Sequence, residues 1–267
     1  IGNVVEPNLL IDQFGVDTIR YFLLREVPFG LDGDFSHKSL INRINSDLAN
    51  NLGNLLNRTM SMIKRYHDQM IPAPTSPTED FDLIEEFKKG VEDVHKLYDD
   101  LSYNKILERI WLLVDTTNKY IDTNSPWNLV KTETGKLRLS TVMYNTVVCI
   151  RSISILIYPF MPKSADTIMK QLGIEQTIEE LGLESLKNWG GVKPGTKIQP
   201  GLQLFPRIED KEAEKILSNI ESIGEKNKEQ SLPTEIEGIC DQVLIDDFMK
   251  IDLRKFRKYS SFSFLTP

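Results

Sequence analysis

The chain has 267 residues, which is enough for one large domain or two smaller ones, and its 27% charged and 40% hydrophobic content is ordinary for a globular protein. Neither Cys149 nor Cys240 belongs to a C-x-x-C pair and the three histidines are scattered, so the sequence indicates neither a metal site nor a disulfide framework. The net charge of −7 differs from that of most nucleic-acid-binding proteins, but it does not exclude a local basic or base-stacking surface.

The first 35 residues predict a small helical cap. Pro7 is suited to open a helix that Gly15 closes, and a second helix is predicted over 17–26. A dense turn cluster follows at 28–34. The start at Ile1, without an initiator Met or a charged leader, leads us to expect a segment from within a longer protein. The presence of only two cysteines fits the reducing cytoplasm, where we expect the protein.

Four long helices are predicted after this cap. Ser36 is a candidate N-cap for the first, whose apolar residues recur every three or four positions as far as Ile63. The others are predicted over 81–101, 103–124 and 137–158, and the last is apolar nearly all round, so we expect it at the centre. The apolar run 147–161 is too short for a membrane span and is interrupted by Arg151. Short helices are predicted after Ser125 and over 162–172.

The remaining sequence predicts an extended segment and a linker. Residues 188–206 are rich in Gly and Pro and are expected to pack back on the bundle. Residues 209–230 hold seven acids and four bases and predict a solvated linker, part helical. The fold class is therefore all-α: an antiparallel bundle of four or five helices with the N-terminal cap. The predicted divisions are 1–35 (cap), 36–208 (bundle), 209–235 (acidic linker) and 236–267 (start of a further domain).

The motifs favour binding over catalysis. The sequence has no G-x-S-x-G, H-E-x-x-H or G-x-x-x-x-G-K motif, and we assign no catalytic residue and no metal ligand. Asn54 and Arg58 are four residues apart on one helical face and could hydrogen-bond and stack on an unpaired base, or simply form a polar surface. Trp127, in the first turn of a short helix, could be a stacking platform or could cover the end of the core.

Longer motifs resemble the methionyl-tRNA synthetases, a family of class I aminoacyl-tRNA synthetases. The similarity extends over about 1–208 and is carried by IGNVV at 1–5, FGVDTIRYFLLRE at 14–26, PFG at 28–30, DGDFS at 32–36, DLANNLGNLLNR at 47–58, YID at 120–122, PW at 126–127 and LFPRI at 204–208. Ile1 would follow the K-M-S-K-S loop of these enzymes. The resemblance identifies the chain as a C-terminal portion of the family that includes the anticodon-binding domain.

The resemblance implies a tRNA-reading role. Members of the family join methionine to its tRNA with ATP, and their helical domain reads the CAU anticodon. The family's anticodon-binding Asn and Arg correspond to Asn54 and Arg58, and its stacking Trp corresponds to Trp127, with Pro126 shaping the turn. Two further candidate anticodon-binding residues, on the face leading to Trp127, are Asn118 and Asp122.

Other parts of the family are absent from this sequence. The nucleotide-binding domain with its H-I-G-H motif, any zinc knuckle and the K-M-S-K-S loop are missing. We therefore expect no cofactor in this chain, since ATP and any Mg or Zn would belong to the full-length enzyme, and no activation of methionine by the chain alone. The stretch 236–254 resembles the opening of an OB-like domain that dimerises many bacterial members, but the similarity ends at Lys255. A monomer without membrane contact is expected.

Two alternatives remain open from the sequence. The chain could be a helical protein-interaction scaffold in which Arg58 and Trp127 have only surface and core roles. It could also derive from a class I synthetase for another amino acid, such as cysteine, leucine or valine. Preferential binding of a CAU stem-loop would distinguish the methionyl-tRNA synthetase hypothesis from both alternatives.

Overall fold

The computed structural model describes residues 7–33, 35–75, 80–201 and 203–230. The chain divides into two units, 1–221 and 222–267, and the fold presented here is that of the first. In the described part of the chain the regular structure is helical, apart from one isolated antiparallel bridge between Met70 and Lys197. The all-α prediction is confirmed.

Eleven α-helices and two other helical segments make up the described chain. In chain order they are α1 (Pro7–Phe14), α2 (Val16–Glu26), α3 (His37–Arg43), a π-helix (Ile44–Gly53), α4 (Asn54–Tyr66), α5 (Phe81–Asp99), α6 (Tyr103–Asn124), α7 (Pro126–Leu129), α8 (Glu133–Ile157), α9 (Pro162–Gln171), α10 (Ile178–Leu181), a 3-10 helix (Leu183–Leu186) and α11 (Asp210–Gln230).

Several helix ends follow directly from short polar side chains. The Ser36 hydroxyl accepts a hydrogen bond from the Ser39 backbone N–H at 3.0 Å, which confirms the predicted cap of α3. Thr132 caps α8 in the same way, so α8 begins at Glu133 and not at 137 as predicted. Gly15 has φ +81°, a conformation that only glycine adopts readily, and it separates α1 from α2.

The first long helix differs from the prediction in its middle. The sequence predicts one regular α-helix, but residues Ile44–Gly53 are π-helical and join α3 to α4 without a break. A π-helical turn bonds residue i to i+5 and is wider than an α-turn, so two pairs of adjacent residues can face the core. Leu48 with Ala49 and Leu52 with Gly53 are all buried. In α4 the four-residue spacing of Asn54 and Arg58 is preserved.

The four long helices do not all alternate in direction. Helices α5 and α6 are antiparallel, as the Asp93–Arg109 ion pair and the short 99–103 connection show. Helices α6 and α8 are also antiparallel, because Asn124 at the end of one contacts Arg138 near the start of the other. The first long helix, however, runs parallel to α6.

Along this parallel pair, residue numbers increase in the same direction in both helices. The indole N–H of Trp111 donates to the backbone oxygen of Asp47, and further along Arg58 pairs with Asp122. This arrangement brings a continuous strip of the first long helix beside α6.

Helix α8 is the central helix, as predicted. From Thr141 to Ile157 it is buried on all sides apart from the partly buried Tyr144, whereas its first two turns are largely exposed. It is the one described helix long and apolar enough to cross a membrane by length and composition, and 89% of its most apolar stretch is buried inside the protein. Arg151 lies among these buried residues, and the backbone of Gly191 passes directly over its guanidinium. The helix therefore forms the core and not a surface.

The Gly- and Pro-rich segment packs back on the bundle, as predicted. Val192, Ile198 and Phe205 are buried, and the Tyr144 hydroxyl donates to the Val192 carbonyl at 3.0 Å. Leu202, also expected to pack there, lies outside the described residues.

The acidic stretch that was predicted as a part-helical linker forms α11, and Ile216 on this helix is buried against the bundle. The low apolar content of this stretch did not indicate that Ile216 is buried and that Ile220 packs against the core. The predicted start of a further domain, 236–267, and the motif at 1–5 lie outside the described residues.

Candidate nucleic-acid interface

A short turn between α6 and α8 presents Trp127 to solvent. Ser125 adopts a left-handed conformation with φ +46°, which ends α6 and redirects the chain. Pro126 is buried at the first position of α7, where its fixed φ suits a helix start. The side chain of Trp127 is 45% exposed. Trp127 is therefore an exposed residue of the turn and not a member of the buried core.

The other two tryptophans have structural positions. Trp111 is buried beside Tyr21, with ring centroids 4.4 Å apart. Trp189 is partly buried, and its indole N–H donates to the Asn145 side chain at 3.1 Å. Trp127 is thus the tryptophan whose aromatic surface is most available to a ligand.

Arg58 lies beside this turn and is held by Asp122. The guanidinium Nη2 is 2.5 Å from the carboxylate Oδ1, with side-chain exposures of 24% and 60%. Asp122 also tethers the turn, because its backbone oxygen accepts from the Ser125 hydroxyl at 3.0 Å. Asn54 is exposed one turn before Arg58 on α4. Two predicted residues, Arg58 and Asp122, are therefore in direct contact, and Asp122 lies five residues before Trp127.

A second set of polar contacts continues along the same pair of helices. The Asn118 amide donates to Asn51 Oδ1 at 2.8 Å, and the Asn51 amide donates to Asp115 Oδ1 at 2.7 Å. Asn51 and Asp115 were not singled out from the sequence. Helical spacing could have indicated them, because positions 115, 118 and 122 lie on one face of a helix and position 51 lies seven residues before Arg58.

A buried network of ion pairs and hydrogen bonds connects the helices on either side of the turn. Arg138 on α8 donates through both terminal nitrogens to the Asp80 carboxylate, at 2.6 and 2.7 Å. Arg138 also donates to the Asn124 side chain at the end of α6, at 2.7 Å. Asn145 donates to Asp80 at 2.8 Å, so the network reaches Trp189. These contacts fix the ends of α6 and α8 between which α7 lies.

The surface combines the groups that recognise unpaired bases. An exposed aromatic ring can stack on a base, a guanidinium can stack or bond in its plane, and amides can meet the Watson–Crick edge. Among the residues that the structure describes, no three His, Cys, Asp or Glu side chains are grouped so that they could hold a metal ion.

Family models match most of the chain. Residues 1–60 match the model for "tRNA synthetases class I (M)", and residues 71–223 match the model for the "Anticodon binding domain of methionyl tRNA ligase". The second match includes α5 to α10 and Trp127.

Curated proteins and solved structures agree with these matches. The chain is 48% identical over 254 residues to the methionine–tRNA ligase of Caldanaerobacter subterraneus subsp. tengcongensis and 44% identical over 255 residues to that of Clostridium tetani. In each case 95% of this chain is covered, but only 38% of the relative.

The fold is also similar to Mycobacterium tuberculosis methionyl-tRNA synthetase. The structure of that protein in complex with methionyl-adenylate has a TM-score of 0.72 and 38% identity, covering 78% of this chain and 40% of that one. Its apo form gives a TM-score of 0.70 and 37% identity, over 77% and 41%. Because the anticodon-domain model matches more than half of the sequence, the chain belongs to the methionyl-tRNA ligase family and contains its anticodon-binding domain.

Proposed function

We propose that the surface around Trp127 binds the CAU anticodon of methionine tRNA. The observation that carries this proposal is the exposure of Trp127 in a turn fixed by Ser125 and Pro126, next to the Arg58–Asp122 pair. The exposed face of this ring is a surface on which an unpaired base can stack. The family match supports an anticodon base as the ligand of this surface.

In this proposal each residue has a distinct role. Trp127 stacks on one splayed base, a contact typically worth about 1–3 kcal/mol. Arg58 and Asn54 meet base edges or phosphate with their guanidinium and amide groups. Asn118 and Asp122 line the same strip, and Pro126 holds the turn. Arg58 would exchange part of its contact with Asp122 for the RNA, and the exposed position of that carboxylate makes the exchange inexpensive.

We further propose that the domain serves an enzyme that joins methionine to its tRNA with ATP in the cytoplasm. The chain spans 38% of the length of the curated relatives that it matches. We assign to it no step that uses ATP, Mg or Zn, and we expect it to act as a monomer. On this proposal the isolated chain shows no methionine-dependent ATP–pyrophosphate exchange above background.

The test is binding of the purified chain to a stem-loop with the anticodon CAU. A matched stem-loop with a changed first anticodon base measures specificity, and Trp127→Ala measures the contribution of the ring. Stronger binding to CAU, weakened by roughly 5- to 150-fold in Trp127→Ala, is expected from the energy of one stacked base. Trp127→Phe, which retains an aromatic face, should recover part of the loss.

Two outcomes would reject the proposal. Equal or undetectable binding of both stem-loops would show that the chain does not read this anticodon and would favour a protein-interaction scaffold. Unchanged binding in Trp127→Ala would remove the tryptophan from the site. The salt dependence of binding provides a further check, since an RNA contact weakens steeply as salt rises.

A further inference from the structure

The strip between the first long helix and α6 contains a chain of hydrogen bonds with a fixed direction. It runs from Asn118 to Asn51 and from Asn51 to Asp115. None of the described residues donates a hydrogen bond to the remaining side-chain oxygen of Asn118, although this atom is buried. A buried acceptor without a donor is uncommon and calls for a physical reason.

The direction of the chain is set by Asp115. An ionised carboxylate only accepts hydrogen bonds, so the Asn51 side chain must turn its NH₂ group toward Asp115. Its carbonyl oxygen then faces Asn118, and this oxygen can only be met by the NH₂ group of Asn118. The Asn118 oxygen is left as the free end. The orientation of both amides therefore follows from the chemistry of one acid.

We propose that Asn51 is a positioning residue that makes Asn118 an acceptor for the exocyclic amino group of an anticodon cytosine or adenine. This inference rests on the proposed function of the surface. An amino group is the donor that distinguishes cytosine from uracil and adenine from hypoxanthine, which present a keto oxygen at the same place. An amide whose oxygen is held facing away from Asn51 accepts the first kind of edge and opposes the second.

The same geometry explains why the oxygen is shielded before RNA binds. Asn118 lies one turn before Asp122, whose carboxylate holds Arg58. Because the Asn118 oxygen is out of contact with water, a base must displace a neighbouring side chain to reach it. The selection of an amino group would thus accompany the rearrangement of Arg58 that the proposed function already requires.

The experiment measures discrimination in the full chain. Dissociation constants are determined for the CAU stem-loop and for two variants, one with uracil in place of cytosine and one with hypoxanthine in place of adenine. Asn51→Ala removes the link that orients Asn118. Asn51→Asp, made in an Asp115→Asn background, is the matched control. The aspartate then accepts from the amides at positions 118 and 115, so the Asn118 oxygen still faces away from position 51. Far-UV circular dichroism verifies that both variants are folded.

The expected result is a selective loss of discrimination. In Asn51→Ala the preference for the amino-bearing base should fall about five- to tenfold at one of the two positions, the size expected for one oriented hydrogen bond. The Asn51→Asp control should retain the wild-type ratio, and Asn118→Ala should reproduce the loss. A side chain with a merely structural role would change stability or overall affinity without changing this ratio.

Three results would overturn the inference. These are unchanged ratios in folded Asn51→Ala, the same loss of ratio in the Asn51→Asp control, or an equal loss of affinity for all stem-loops in both variants. If the wild-type protein binds CAU selectively and any of these results is obtained, the inference fails but the proposed function stands. Wild-type protein that binds none of the stem-loops would instead reject the proposed function itself.

Discussion

Removing the carboxylate of Asp80 should destabilise the bundle more than any exposed ion-pair change. Asp80 accepts two hydrogen bonds from Arg138 and one from Asn145, and its side chain is only 3% exposed. Asp80→Ala leaves the guanidinium of Arg138 without its main counter-charge. It also leaves the Asn145 amide without an acceptor.

The magnitude follows from the burial of the two partners. Breaking a buried ion pair on one side typically costs about 3–5 kcal/mol. Arg138 is 19% exposed and still donates to Asn124, so water and this amide offset part of the cost. We therefore expect a loss of about 2–4 kcal/mol in the free energy of unfolding for Asp80→Ala. In a domain of this size that corresponds to a fall in Tm of roughly 6–12 °C.

The assay is urea denaturation followed by far-UV circular dichroism and by tryptophan fluorescence. Trp189 reports on the network because its indole N–H donates to Asn145. Glu184→Ala is the matched control, since it removes an exposed ion pair with Lys187 in which both side chains are more than two-thirds exposed. That change should cost less than about 0.5 kcal/mol.

A loss below about 1 kcal/mol in Asp80→Ala, with an unchanged dependence on urea, would refute this reasoning. It would mean that the desolvation of the carboxylate and guanidinium already cancels their attraction in the folded protein. Asp80→Asn, which keeps one acceptor and the shape of the side chain, should lie between Asp80→Ala and the wild type.

Three further predictions concern other parts of the fold. Gly191→Ala and Gly195→Ala both place a side chain at φ above +70°, but only the new methyl group at 191 meets a neighbour, Arg151, at 2.8 Å. Thermal denaturation should therefore show that Gly191→Ala lowers the free energy of unfolding by about 1–3 kcal/mol more than Gly195→Ala does. Burial raises the pKa of the Cys149 thiol, so in a variant without Cys240 a thiol reagent should label Cys149 only as fast as the protein unfolds. Rapid labelling under native conditions would contradict this prediction. Burial lowers the pKa of His67, so the unfolded chain binds the proton more readily and the free energy of unfolding should fall as the pH drops below about 6.5. His67→Gln should reduce this fall, and a variant whose stability has the same pH dependence as the wild type would exclude His67 as its source.

Local signals predicted much of the helical architecture. The Ser36 cap, the Gly15 break and the Ser125-Pro126 start act through neighbours in the chain, so the sequence contains all the information that they need. The same holds for α6, whose bounds match the predicted 103–124. Helix α8 began earlier than predicted because Thr132, a polar residue before the apolar run, caps it.

Features that depend on distant residues were not predictable in this way. The π-helical stretch follows from how Leu48 and Leu52 fit the core, and its apolar spacing resembles that of an α-helix. Asp80 and Arg138 are 58 residues apart, so their contact has no local pattern. The exposure of Trp127 was likewise undetermined, because a core-covering and a solvent-facing tryptophan have the same sequence neighbours. Only the packing of α7 distinguishes them.

The burial of α8 from Thr141 to Ile157 limits how this module can be cut. A helical stretch that is apolar all round cannot leave any side in water, so the elements that cover it are needed together. A shortened version for crystallisation or display that omits α9 or the segment around Ile198 would expose part of α8 and aggregate. The smallest version of this module that keeps the core covered therefore includes α2, whose Tyr21 and Phe22 are buried, and extends through Phe205.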